Sequence, residues 1–147
     1  DLIDKGARNA AIHNAVYDMN SPGKLQLLGC ALENLVVLEE LHTSYITLSR
    51  EDLKKHRYEK GDTEGFVNYG LSLKGIKLTA FFIEHPGEDH IRISFRSKGD
   101  VPADEIAKTY FDGGGHRNAS GGKSYLPLDE TIAKFKNIAM QYKVWLA

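Results

Sequence analysis

Residues 111 to 122, FDGGGHRNASGG, place five of the chain's fourteen glycines within ten positions and set a histidine, an arginine, an asparagine and a serine among them. Consecutive glycines permit positive φ and let a ligand come close to the main chain, and successive N–H groups turned the same way make a concave anion site. Gly113, Gly114 and Gly115 could form such a nest, with His116 adding a donor or an acid near neutral pH and Arg117, Asn118 and Ser120 adding further donors. The plainer alternative is a glycine-rich turn between helix and strand whose histidine caps a carbonyl. The combination of Gly, His, Asn, Ser and Gly in one run favours a ligand site.

A second candidate is FRSKG, residues 95 to 99, where Arg96 stands near the end of a strand on its polar side. A guanidinium there could grip a phosphate bidentately, helped by Ser97 and Lys98, although a solvated surface arginine is the commoner fate. Arg92 shares that side. In DTEGFVNYG, Glu64 and Asn68 lie one turn apart, and Phe66 reads either as core or as a platform for a base. His13, His42, His56, His85 and His90 are scattered without the His or Cys spacing that chelates zinc. The sequence has no convincing GxSxG elbow, P-loop or HExxH run. Taken by itself, the chain presents a binding site and no catalytic engine.

The elements that must position these residues are legible in the spacing. Ile12, Val16 and Met19 recur at helical intervals beside a stripe of Ala7, Ala11 and Ala15, which predicts a helix over residues 3 to 19. Ser21 as N-cap and Pro22 at the first position open a second helix to about Glu40, with Leu25, Leu28, Leu32 and Leu35 on one face. Residues 44 to 49 form a short β-rich run, and REDLKKH one or two helical turns. Asp62 or Thr63 can cap a helix that buries Phe66, Tyr69 or Leu73 and stops at Gly75. Strands over 76 to 84 and 90 to 97 flank the turn-forming HPGED, which predicts a hairpin. In its second strand Ile91, Ile93 and Phe95 alternate with Arg92, Ser94 and Arg96. A helix opened by Asp100 and Pro102 leads into the glycine run, a strand KSYLPL follows, and a helix from about Asp129 closes the chain. The fold class is therefore α/β: a central mixed sheet flanked by helices and preceded by a two-helix extension.

At 147 residues, 41% of them apolar, the chain is long enough for one domain with a helical extension. A net charge of -1 excludes the broad cationic field of a long-polymer binder, so any anion site must be local. Cys30, the single cysteine, falls in an apolar helical stretch and points to packing in a reducing compartment. No apolar run approaches the roughly 20 residues of a membrane span, and no basic stretch followed by an apolar one marks a signal peptide, so the expected location is cytoplasmic. A first residue of Asp1 in a segment that already reads as helix suggests a piece of something longer.

Taken together, GGGHRNASG, RSKGDVPADEIAKTYF and GDTEGFVNYGLSLKGIKLTAFFIE resemble the C-terminal DHH-associated domain of the DHH phosphoesterases. Most similar is the bacterial branch of oligoribonucleases and 3′-phosphoadenosine 5′-phosphate phosphatases, the RecJ-like, exopolyphosphatase-related proteins. The resemblance spans about residues 44 to 147. Residues 1 to 40 resemble that family's last catalytic-domain helix and linker, with the substrate-binding domain at 41 to 147. It implies a two-lobed enzyme in which a missing N-terminal DHH domain holds two manganese ions. This lobe would grip a short RNA, or a nucleotide with a terminal phosphate, through Arg96, Ser97, Gly113, Gly114, Gly115, His116, Asn118, Ala119, Ser120 and Gly121. By the same carry-over His116 is the catalytic residue, reaching toward the phosphate near the metals. The Asp-His-His triplet of the family is absent from these 147 residues, so the resemblance implies a chain that binds no metal and is inactive alone. Asp112 stands where the family often has another glycine; it is expected to point away from the phosphate, at the helix end. The C-terminal RNA-binding module of alanyl-tRNA synthetases is similar at its glycine-rich end, but the basic surface and long coiled linker expected of it are not visible here. A homodimer through uncovered apolar surface of the N-terminal helices is a further expectation.

Overall fold

In the computed structural model the described residues are 21 to 147, and the helix expected over 3 to 19 lies outside them. Helix α1 (Pro22–Glu33) begins as its residues dictate: Pro22 occupies the first turn and the Ser21 hydroxyl accepts from the Lys24 amide at 3.1 Å. It ends seven residues before the expected stop, because Val36–Leu38 leaves the helix as an edge strand, β1. The face α1 buries also differs from the expected leucine stripe. Leu27 and Ala31 are buried, whereas Leu25 and Leu32 are 54% and 41% exposed. Leu27 and Ala31 pack into the same cluster as Ile46 and Leu48 of the sheet, and β1 pairs with β2, so α1 and β1 pack onto the sheet.

The remaining elements are β2 (Thr43–Leu48), α2 (Arg50–Lys55), α3 (Val67–Leu71), β3 (Leu78–Ile83) and β4 (Ile91–Ser97), then α4 (Ala103–Tyr110), β5 (Gly114–His116), β6 (Ala119–Ser124), α5 (Leu128–Gln141) and α6 (Lys143–Leu146). The six strands form one mixed sheet in the order β1-β2-β3-β4-β6-β5. Only β2 and β3 run parallel, and their crossover carries α2 and α3. Ser49 caps α2 in a reciprocal box with Asp52. Burial raises the Asp52 carboxyl's pKa, but hydrogen bonds from Ser49 and Asn34 outweigh it and hold that pKa below the usual carboxylate value. α3 is shorter than predicted and starts after Phe66 rather than at Asp62 or Thr63, because Asp62 instead closes a local turn by accepting from the Glu59 amide. Pro102, not Asp100, precedes the first residue of α4.

Each face of the sheet meets a different layer. On one, Tyr45, Ala80, Phe82, Ile93 and Phe95 pack against α4 and α5, where Phe135 meets Phe82 edge-on at 5.5 Å between ring centroids. On the other, Ile46, Leu48, Phe81 and Ile83 pack under α1, α2 and α3. That second cluster takes nothing from β4, β5 or β6. On that side α3 also comes up against β4, so the open surface lies over β5, β6 and the outer flank of β4, where Arg92 projects exposed and Ser94 and Arg96 half-buried.

Candidate phosphate-binding site

The glycine run is a β-hairpin. Gly114–His116 is the outermost strand of the sheet, Arg117 and Asn118 make the turn, and the pairs Gly114 with Gly121, Gly115 with Ser120 and His116 with Ala119 set the register. The expected nest of three amides is not formed. The Gly113 amide donates to the Ala107 carbonyl at 3.0 Å, which ties it to the end of α4. In a strand, successive N–H groups turn to opposite sides, so Gly114 and Gly115 cannot both offer theirs to one anion. The strand KSYLPL is likewise corrected: β6 starts at Ala119 and ends at Ser124, because the small residues that looked like loop pair with β4.

The register places the proposed residues in rows across the sheet. Arg96 pairs with Ala119, which pairs with His116. One step along, Ser94 pairs with Gly121, which pairs with Gly114; one step further, Arg92 pairs with Lys123. Side chains alternate along each strand, so all eight residues share the uncovered face. Arg96 and His116 stand on either side of Ala119, their Cα atoms about 9 to 10 Å apart at the usual strand spacing. Both are long enough to lean inward over that methyl group. The neighbouring row has no side chain larger than a serine, which leaves a bare floor beside the guanidinium and the imidazole.

The glycines of this region have different causes. A Cβ on Gly113 would overlap the Gly121 carbonyl oxygen and lie 2.6 Å from Gly122 Cα, and one on Gly122 would lie 2.7 Å from the Phe111 carbonyl oxygen. Gly115 has φ +146° and a similar conflict with Ala119 and Ser120. These three glycines serve the chain's own packing. Gly114 does not: a Cβ there would meet nothing within 4 Å, and its φ is not in the left-handed region. Asp112, where a glycine resembles the family better, has φ +50°, a conformation that glycine takes freely and aspartate tolerates.

Three of the proposed donors are consumed internally. The Ser97 hydroxyl is buried, 2.7 Å from the Val101 carbonyl oxygen and 3.1 Å from that of Arg117. The Asn118 side-chain amide donates to the Ser97 hydroxyl at 3.0 Å and to the Gly99 carbonyl at 3.1 Å. Ser120 is buried with its hydroxyl donating to the Ala103 carbonyl at 2.7 Å. Together they lock the RSKG turn and the start of α4 onto the hairpin, which holds Arg96 and His116 in place without touching a ligand. Arg96 itself has no acidic partner among the described residues; one guanidinium nitrogen donates to the Phe95 carbonyl at 2.8 Å, and four of its five N–H donors are left over. Phe66 is core, 2% exposed and tilted against Phe81, so it offers no platform for a base. Tyr69, expected inside, is 45% exposed on α3.

One residue of the face, Lys123, gains meaning only from the register. The alternation of small and polar residues in ASGGKS was the sequence signal for Lys123. A cavity of ≈ 490 Å³ between α2 and the β3–β4 loop, lined by Arg50, Leu53, Arg57, Tyr58 and Pro86, touches none of the proposed site residues. No group of three or more His, Cys, Asp or Glu side chains comes together to hold a metal among the described residues. No helix among them is long and apolar enough to cross a membrane.

Residues 39–142 match the DHHA1 domain family. Over 145 residues the chain is 30% identical to the bifunctional oligoribonuclease and PAP phosphatase of Bacillus subtilis, covering 97% of this chain and 44% of that protein. It is 30% identical over 112 residues to a 3′,5′-cyclic-nucleotide phosphodiesterase of Helicobacter pylori, covering 66% of this chain and 31% of that protein. Among solved structures, an exopolyphosphatase-related protein from Bacteroides fragilis superposes with a TM-score of 0.89 at 38% identity, covering 99% of this chain and 42% of the other. The chain thus spans less than half the length of these relatives.

Proposed function

The chain belongs to the DHHA1 domain family, and from that premise we propose that it is the substrate-gripping lobe of a manganese-dependent phosphodiesterase acting on short oligoribonucleotides or adenosine 3′,5′-bisphosphate. The observation that carries this reading is the row Arg96, Ala119, His116 beside the bare row Ser94, Gly121, Gly114 on the uncovered face. A guanidinium and an imidazole flanking a surface without side chains suit a phosphate lying flat on the sheet, where donors come from both sides and nothing blocks the approach. The net charge of -1 agrees with a ligand of few phosphates, since a long polymer would call for a basic stripe.

The division of labour follows from the chemistry present. In such an enzyme the metal ions would activate water and clamp the scissile phosphate. On this reading the ions belong to the companion domain, and no step here passes through them. Arg96 holds a phosphate by charge-assisted hydrogen bonds. Gly114 and Gly121 leave the main chain open beside it. His116, exposed on the edge strand, is the group free to donate a proton or a hydrogen bond across the cleft to the second lobe.

The test is a titration of this chain with adenosine 3′,5′-bisphosphate and a diadenylate, followed by amide chemical shifts. Shifts confined to Arg96, residues 114 to 116 and residues 119 to 121 are expected. A response to structured tRNA alone would overturn the reading in favour of a non-catalytic RNA-binding module.

A further inference from the structure

Beyond the Arg96 and His116 row, the uncovered face continues for two more rows and ends in an aromatic cluster that the phosphate grip does not use. Lys123 stands beside Arg92 in the third row, and its ammonium lies 5.8 Å from the centre of the Tyr125 ring. Tyr125 follows directly on β6, is 59% exposed, and is tilted against His90 with 5.7 Å between ring centroids. Arg92 is gripped by the Glu88 carboxylate, its Nε donating to Oε2 at 2.9 Å, and Glu88 also lies 3.3 Å from His90 Nε2. Arg92 is thus half neutralised and fixed, and Arg50 is held by the His85 and Glu88 carbonyls, whereas Lys123 has no ion-pair partner among the described residues. Tyr125 and His90 border a hollow of ≈ 220 Å³ with Arg50, Glu84 and Asp89 around it. Carboxylates at that position oppose a phosphate and suit the N–H edge of a base.

We propose that Lys123 and Tyr125 form a distal subsite for the third nucleotide of a single strand, Lys123 meeting its phosphate and Tyr125 stacking on its base. The inference rests on the reading of Arg96 and His116 as the grip for the first phosphate. Each row lies roughly 7 Å from the next along the strands, a step of the same order as that between successive phosphates of an extended single strand. A strand anchored at Arg96 therefore lays its second phosphate over Ser94, Gly121 and Gly114, where nothing obstructs it, and its third within reach of Lys123. The base beyond meets an exposed aromatic ring beside a cation, the arrangement by which single strands are held without sequence preference. A mononucleotide cannot reach that ring. The lobe so built favours a short oligoribonucleotide over adenosine 3′,5′-bisphosphate.

The experiment compares binding of 5′-phosphorylated mono-, di- and triadenylate to the chain and to Tyr125→Ala, Tyr125→Phe and Lys123→Ala, all at surface positions. The expected result is tightest binding of the triadenylate, about tenfold weaker in Tyr125→Ala and retained in Tyr125→Phe, with the mononucleotide unaffected. Lys123→Ala should flatten the salt dependence for the triadenylate alone. If Tyr125→Ala leaves triadenylate binding unchanged while the mononucleotide binds normally, the distal subsite is overturned and the phosphate grip stands. An equal loss for all three ligands also overturns it, since a mononucleotide does not extend to Tyr125. If the wild-type chain binds none of them, the phosphate grip itself falls.

Discussion

Gly113→Ala is expected to destabilise the chain by about 3 kcal/mol or more, the range of severe overpacking against groups that cannot move aside. The conflict is with main chain on both sides. The new methyl would overlap the Gly121 carbonyl oxygen and crowd Gly122 Cα, while the Gly113 amide is bonded to Ala107 and the Lys123 amide donates to the Phe111 carbonyl at 2.7 Å. Relief would require the end of α4 to lift off β6, and that would break both hydrogen bonds and disturb Phe111, which is 1% exposed in the core. Gly114→Ala, one residue along, is the internal contrast. Its methyl group meets open space, so its free energy of unfolding from urea titration should stay within about 0.5 kcal/mol of the parent's, as for an ordinary surface change. Binding of adenosine 3′,5′-bisphosphate should nevertheless fall, because that methyl occupies the floor of the site. Two adjacent glycines would then separate cleanly, one needed for folding and one for the ligand. Equal stability of the two variants would mean that α4 does not press on β6 as described.

The same contrast marks what the sequence could and could not reveal. The alternation of Ile91, Ile93 and Phe95 with Arg92, Ser94 and Arg96 was enough to place β4 with one face buried, and the structure agrees residue by residue. Ser21 with Pro22 located the start of α1. Of the leucine stripe, Leu28 and Leu35 do pack against the core while Leu25 and Leu32 face out, because spacing alone does not centre the buried face, which falls on Leu27 and Ala31. The glycine run was read as a loop because its composition is that of a loop; pairing with β4 overrode the weak strand propensity of glycine. The donors Ser97, Asn118 and Ser120 are legible as a polar cluster, but sequence does not show that they are consumed internally, since apart from the Asn118–Ser97 bond their partners are main-chain carbonyls supplied by the fold. Buried side-chain donors are most often satisfied by main-chain groups. Arg96 and His116 stayed candidates for a reason invisible in sequence, the two-strand register that sets them on either side of Ala119.

His116→Ala, placed in the enzyme that carries this lobe with its catalytic domain, is expected to lower turnover by about 10²- to 10⁴-fold, the range for loss of a positioned general acid. Stability should barely change, because His116 is exposed on the edge strand and its side chain makes no hydrogen bond among the described residues. The route of the loss discriminates two roles. An imidazole that only holds the ground-state phosphate would, when removed, raise KM and leave kcat in place; one that protonates or stabilises the leaving oxygen would lower kcat and kcat/KM together. His116→Gln sharpens the distinction, since glutamine keeps a hydrogen-bond donor of similar reach and gives up the proton. Recovery of most of the rate by glutamine would assign His116 to positioning, and a variant as slow as alanine would assign it to proton transfer. An unchanged rate in both would remove His116 from the site and leave Arg96 as the sole side chain there with a claim on the phosphate.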